Sequence, residues 1–208
     1  PEQLAAVVTL AGQNQWRLLP SGSGSKLDWG GIPQDINIIL STARMDQLIE
    51  HAVGDLTVTV PAGMKYAQLQ KTVAEVGQFL ALDPSYSDRA TIGGIVATAD
   101  TGSLRQRYNS VRDQLLGISF VRADGQITKA GGRVVKNVAG YDLMKLLTGS
   151  YGTLGIISQI TFRLYPQQAT CQTVLLTGDA IAVDQISQTV RSASLTPVAL
   201  DILSPSVV

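Results

Sequence analysis

At 208 residues the chain is long enough for one sizeable core or two small ones, and a 45% apolar composition with mean hydropathy +0.17 excludes a disordered segment. Sixteen basic and sixteen acidic side chains cancel, and charged residues make up only 15%, so no field is present to attract nucleic acid or an anionic membrane. One cysteine (Cys171) and one histidine (His51) exclude an intrachain disulfide, a Cys/His metal cluster and a thiol triad; the expectation is no bound metal and a reducing compartment.

No apolar run of about 18 residues is present to span a bilayer. The low charge fraction leaves apolar surface that a partner or further polypeptide is expected to cover. A targeting segment upstream of Pro1 is left open.

In chain order, residues 1–13 are predicted to form a helix, with Pro1 at its start, Leu4, Val7, Val8 and Ala11 on one face and Gly12 near its end. Residues 16–19 read as a strand running into Pro20-Ser21-Gly22-Ser23-Gly24-Ser25-Lys26. Residues 36–40, 48–51 and 56–60 read as three more strands, with Gly54-Asp55 turning between the last two. His51 is predicted to be a solvated side chain, and Trp29 reads as covering an edge of the core in preference to packing near the loop that follows residues 16–19.

Tyr66, Leu69, Val73 and Val76 recur at helical spacing over residues 65–76, and Gly77 stands where a left-handed terminal residue belongs. Residues 79–82 read as a strand leading to Asp83-Pro84. Strands over 116–122 and 126–128 flank Asp124-Gly125, a pair suited to a type I′ hairpin. A short helix follows at 142–147 and a strand at 155–164, broken at Tyr165-Pro166, where a domain boundary is expected. Residues 173–176, 180–193 and 197–203 read as strand, helix and strand, one βαβ piece of a domain expected to continue past Val208.

Eleven of the twenty glycines fall between Ala90 and Gly155. Backbone without Cβ can approach a ligand closely, which suggests a large flat molecule gripped by main-chain groups. In the loop from Ser21 to Lys26, successive N–H groups can converge on a diphosphate, with serine hydroxyls and the Lys26 charge assisting; the competing reading is a flexible Gly/Ser connector. Leu27 stands where a dinucleotide fingerprint needs its third glycine. The run Thr91-Ile92-Gly93-Gly94-Ile95-Val96-Ala97-Thr98 suits backbone approach to a planar ring, or else an ordinary buried turn. Lys136, Tyr141 and Asp142 read either as acid/base groups or as residues that fix a turn and cap the next helix.

The order of these pieces carries a resemblance. The first loop, then Asp83-Pro84, Thr91-Ile92-Gly93-Gly94, Arg107-Tyr108-Asn109 with Arg112-Asp113, and Gly152-Thr153-Leu154-Gly155-Ile156-Ile157 resemble the FAD-binding domain of the vanillyl-alcohol oxidase and p-cresol methylhydroxylase (PCMH-type) family, over residues 1 to about 165. Within that family, Val134-Val135-Lys136-Asn137-Val138-Ala139-Gly140-Tyr141-Asp142-Leu143 with Lys145-Leu146 is similar to the E subunit of bacterial glycolate oxidase (glycolate dehydrogenase).

The resemblance implies an α+β chain: a PCMH-type FAD-binding fold of two α/β subdomains over residues 1–165, then the start of an α+β cap domain from 166. Strands upstream of Pro1 and the rest of the cap are expected to lie outside this sequence, so FAD retention by these residues alone is left open. Ser21, Gly22, Ser23, Gly24, Ser25 and Lys26 would cradle the pyrophosphate. Asp83, Pro84, Thr91, Gly93, Gly94, Ala97 and Thr98 would line the isoalloxazine and ribityl chain, with Gly102 beside them, and Gly155, Ile156 and Ile157 would reach the adenosine end. The first loop holds no His or Cys, so noncovalent FAD is expected.

The implied function is that of an FAD-binding subunit of a 2-hydroxy-acid (glycolate) oxidising complex, passing a hydride from the substrate α-carbon to flavin N5. The implied partners are a second flavoprotein subunit and an iron-sulfur subunit, in the cytoplasm, with attachment to the inner face of the membrane through those subunits left open. No catalytic base is identifiable. The alternatives are a non-catalytic electron-transfer or assembly subunit, a flavin reductase resembling UDP-N-acetylenolpyruvoylglucosamine reductase, and a phosphate-binding module without flavin.

Overall fold

The computed structural model describes residues 1–132 and 142–204. Helix α1 (Glu2–Gln13) buries Leu4, Val8 and Ala11, the predicted face, with Val7 half-buried beside them. The first strand, β1 (Leu18–Ser21), starts two residues later than expected, because the Trp16 N–H still closes the end of α1 on Ala11 O at 2.8 Å. It pairs in parallel with β2 (Ile38–Ser41).

Strands β3 (Glu50–Ala52) and β4 (Thr57–Pro61) form a hairpin around a 3₁₀ turn at Val53–Asp55. The left-handed residue of that turn is Leu56 rather than Gly54. His51 is half-buried rather than solvated, and its Nε2 lies 2.9 Å from Gln78 Oε1. Gln78 Nε2 donates to Val53 O at 2.8 Å, so the amide oxygen accepts and His51 Nε2 donates.

Helix α2 (Tyr66–Ala74) buries Tyr66, Leu69 and Val73, and Gly77 takes the left-handed conformation as expected, with its N–H on Ala74 O. Val76 falls outside the helix and is exposed. Tyr66 hydroxyl donates to Leu82 O and accepts from Gln70 Nε2 at 2.6 Å. Burial, partly offset by the Gln70 hydrogen bond, pushes its phenol up to about 12. A raised folded-state pKa preserves stability below pH 10 and loses it between about pH 10 and pH 12, since the unfolded chain ionises first. Denaturant unfolding is expected to show a loss of up to about 2–3 kcal/mol across that window, absent in Tyr66→Phe.

Of the strand expected at 79–82, only β5 (Gln78–Phe79) pairs, with β9 (Tyr165–Pro166). Tyr165 therefore anchors the chain where a simple break was expected. Its ring packs 4.7 Å from Tyr108, and Tyr108 meets Phe79 edge-on at 5.4 Å.

The run read either as backbone facing a planar ring or as an ordinary buried turn is helix α3 (Ile92–Thr98), capped by Thr91 Oγ1, which accepts from Gly94 N–H at 3.4 Å. Two adjacent glycines disfavour a helix locally, but Ile92, Ile95 and Val96 all enter the core, and that burial decides. Helices α4 (Arg105–Tyr108) and α5 (Val111–Gln114) are single turns. Ser110 caps α5 in a reciprocal box with Asp113, and the Ser110 hydroxyl, donating at 2.6 Å, holds that carboxyl below its usual range.

Strands β6 (Leu115–Val121) and β7 (Ile127–Gly131) form the predicted hairpin. Its turn is not type I′, because Gly125 has positive φ and Asp124 does not. Helix α6 (Leu143–Leu147) and β8 (Ile156–Arg163) follow, and β8 sits at the centre of an antiparallel sheet in the order β3-β4-β8-β6-β7. The main core lies between this sheet and helices α2, α3 and α6. A second, smaller core joins Leu4 and Val8 to Val121 and Ile156, with Leu18 and Leu40 packed against it.

The helix expected at 180–193 is α7 (Ala180–Ser192), which buries no residue. The strands expected on either side of it, at 173–176 and 197–203, do not form. A strand needs a hydrogen-bonding neighbour, and none of the described strands pairs with these segments.

Candidate functional site

A groove of about 360 Å³ is bounded by β1 and its following loop on one side and by α3 and the start of β8 on the other. Segments far apart in sequence line it: Ser21, Gly22, Ser23, Gly24, Ser25 and Lys26; Thr91, Gly93, Gly94, Ala97 and Thr98; and Gly155, Ile156 and Ile157. Fourteen of the seventeen predicted residues therefore face one space.

The loop after β1 presents backbone donors of the kind an anion needs. Among the described residues, the N–H groups of Gly22, Ser23, Gly24, Ser25 and Lys26 find no acceptor. Successive unpaired N–H groups of this kind form a nest that suits phosphate oxygens. Gly24 has φ +75°, a conformation its neighbours could not share cheaply. A side chain at Gly22 would collide with Thr91, so the glycine is what lets the loop approach the cap of α3.

Lys26 departs from its expected role. Its side chain is 5% exposed and its Nζ lies 2.6 Å from Asp100 Oδ2, itself 7% exposed. Its charge is engaged by Asp100, leaving only the Lys26 backbone for a ligand. The Trp29 ring lies 5.4 Å from Nζ, so Trp29 covers this ammonium.

On α3, Gly93 and Gly94 do different things. An added Cβ at Gly93 would meet Ala62 Cβ at 2.7 Å, whereas at Gly94 it would meet only Thr91 Oγ1, at 3.2 Å. Gly93 brings the helix onto Ala62, just past the end of β4; Gly94 keeps the groove open. Ile156 and Ile157 send their side chains into the two cores, which leaves their backbone to line the groove.

Asp83, Pro84 and Gly102 lie outside this groove. A side chain at Gly102 would collide with Asp83, so the two pack together, and Asp83 Oδ2 accepts from Leu104 N–H at 3.1 Å. The reason is local: Leu80 and Leu82 are fully buried, and Gln70 and Tyr66 take their carbonyls, which holds Asp83 at the edge of the core. Ser85, next in sequence to Pro84, links this region to Asp100, its Oγ donating to Asp100 Oδ1 at 3.5 Å.

Asp142 occupies the cap position of α6 without capping it, and its carboxylate instead pairs with Lys145 at 2.8 Å. Lys136, Tyr141 and the stretch from Val134 lie outside the described residues. Sequence reasoning missed Asp100 and Tyr151. Tyr151 has φ +53°, donates its N–H to Ala97 O at 2.8 Å and lays its ring where a Cβ on Gly30 would be, at 2.8 Å. The glycines at 149 and 152 were the available signal for a left-handed bend there. Among the described residues there is no cluster of metal-ligating side chains, and no helix is long and apolar enough to cross a membrane.

A family described as the FAD binding domain matches residues 1–131. The chain belongs to that family. Among curated relatives of this FAD binding domain, the glycolate oxidase subunit GlcD of Bacillus subtilis is 33% identical over 97% of the chain and 43% of its own length. The glycolate oxidase subunit GlcE of Escherichia coli is 36% identical over 58% of the chain and 35% of its own length. The chain thus spans less than half the length of these relatives.

A solved structure of alkyldihydroxyacetonephosphate synthase superposes with a TM-score of 0.70 at 23% identity, covering 81% of the chain and 31% of that protein. The fold is thus the α+β fold of PCMH-type FAD-binding domains. The groove fits such a cofactor: its donors are neutral N–H groups and hydroxyls suited to a diphosphate, beside an apolar wall of Leu19, Pro20 and Ile32 suited to flat rings.

Proposed function

We propose that the groove holds FAD noncovalently and that the protein this FAD binding domain serves is an FAD-dependent oxidoreductase acting on a 2-hydroxy acid such as glycolate. The observation that carries the reading is the convergence of three small-residue segments on one groove, one of them with five N–H groups lacking acceptors. The seventeen sequence-selected residues divide accordingly: the β1 loop takes the diphosphate, the face of α3 takes the ribityl chain and ring, and the start of β8 takes the adenosine. Asp83, Pro84 and Gly102 act as support from behind Asp100.

The chemistry the bound cofactor supplies is acceptance of a hydride from the substrate α-carbon at flavin N5, which no side chain here can provide. What this chain does is hold and orient that ring, mainly through backbone. Residues 1–165 form the binding domain and 166 onward begins the cap.

The relatives named as glycolate oxidase subunits support a multi-subunit complex; a second flavoprotein and an iron-sulfur subunit as its partners, and a cytoplasmic location, belong to the same proposal. One observation favours a second reading, a non-catalytic electron-transfer subunit. Among the described residues lining the groove, the titratable side chains are Lys26, which is engaged, and Tyr151, so none is placed as a base.

Visible absorption of the purified full-length protein tests the proposal. Flavin bands, and glycolate-dependent reduction of an artificial acceptor, are expected. A colourless preparation that ignores added FAD contradicts the whole reading, and a yellow one inactive until a second flavoprotein is added supports the electron-transfer reading instead.

A further inference from the structure

We infer that the buried Lys26–Asp100 ion pair positions the diphosphate loop and that Lys26 lends no charge to the cofactor, an inference that rests on the FAD reading above. The two residues belong to opposite walls of the groove. Lys26 lies in the loop after β1, and Asp100 follows Ala99, the left-handed residue that ends α3.

Their charged atoms are 2.6 Å apart and both side chains are more than nine-tenths buried. Beyond that contact, neither Nζ nor Oδ2 has a hydrogen-bond partner among the described residues. Trp29 closes the other side of the ammonium, and Ser85 Oγ holds the second carboxylate oxygen. The pair therefore ties three segments together: the diphosphate loop, the exit of α3 and the chain that carries Asp83-Pro84.

A buried cation with one carboxylate for a partner is satisfied in a single geometry, and losing either partner strands the other in a low-dielectric site. That geometry sets how far the loop stands from α3, which is the spacing the free N–H groups need if they are to converge on a diphosphate lying between them. The ammonium cannot turn into the groove without abandoning Asp100. The diphosphate is accordingly met by peptide dipoles, not by a side-chain cation.

The two roles predict opposite signs. If Lys26 served the cofactor as a charge, Asp100→Asn would release that charge and tighten FAD; as a positioning pair, the same change weakens it. The experiment titrates FAD into the purified full-length protein by flavin fluorescence at low and physiological salt, with thermal unfolding recorded alongside. The variants are Asp100→Asn and the apolar double replacement Lys26→Met with Asp100→Leu, which removes the geometry without stranding a charge, so the test survives if the single variant does not fold.

Both variants are expected to lose about tenfold or more in FAD affinity while folded, with the same weak salt dependence as the parent. Parent-like or tighter binding in either variant overturns the positioning role, as does a steep salt dependence in the parent that vanishes in the double variant. A parent that takes up no FAD overturns the cofactor reading, and this inference with it.

Discussion

Replacing Gly94 with valine is expected to weaken FAD binding about 100-fold and to leave the fold intact. Gly94 lies inside α3 on the face that lines the groove, and the only atom within 4 Å of an added Cβ is Thr91 Oγ1, which a small hydroxyl movement can relieve. A glycine inside a helix costs about 1 kcal/mol relative to alanine, so substitution here carries little intrinsic penalty. The branched methyls instead occupy groove space. An increase of about 100-fold in the FAD dissociation constant is expected, equivalent to about 2.7 kcal/mol, with an unfolding midpoint within a few degrees of the parent. Isothermal titration and circular dichroism on one preparation check both halves. Gly93 is the control, since a Cβ there drives into Ala62 and stability falls first. Gly24 is a poorer probe, because φ +75° adds backbone strain to any obstruction.

The valine variant of Gly155 fails in the opposite way, by unfolding. Gly155 stands at the entrance to β8 with φ +156°, and an added Cβ would lie 2.8 Å from Val121 O and 2.9 Å from the Phe120 ring. Those atoms belong to β6, which pairs with β8 through Val121↔Ile156 at that end. Backbone strain of about 1–3 kcal/mol adds to overpacking of about 1–3 kcal/mol, enough to consume much of a domain's stability. Denaturant unfolding is expected to show that loss before any ligand is added. A stable variant that merely binds FAD less well would show that Gly155 serves the groove alone and that the packing around it can yield.

These two glycines show what sequence could and could not reveal. A Cβ-free residue announces a close approach, but not whether the thing approached is a cofactor or another strand. Where burial follows a simple period, the reading succeeds: Tyr66, Leu69 and Val73 enter the core from α2. The apolar run before Tyr165 is also read correctly, as the central strand β8, which is buried along almost its whole length. It fails where tertiary burial outvotes local preference, as at α3, which forms in spite of two glycines because Ile92, Ile95 and Val96 have a core to enter. It fails again at 173–176 and 197–203, which have strand character but no partner to complete their hydrogen bonds.

The groove itself was legible because main-chain sites leave a compositional trace, runs of Gly and Ser. The electrostatics were not. Lys26 beside serines and glycines looks like a phosphate ligand, and only the arrival of Asp100 from another part of the chain shows that its charge is already taken. The resemblance alone puts Asp83 beside the ring, whereas the burial of Leu80 and Leu82 turns it toward Leu104.

Three separated stretches of backbone are proposed to grip one cofactor together. Amide hydrogen exchange on the full-length protein, with and without FAD, addresses that claim directly. Slowed exchange is expected at Gly22 to Lys26, at the face of α3 and from Gly152 to Ile157, all with the same dependence on FAD concentration. FAD that binds while these amides exchange as in the free protein would contradict the account.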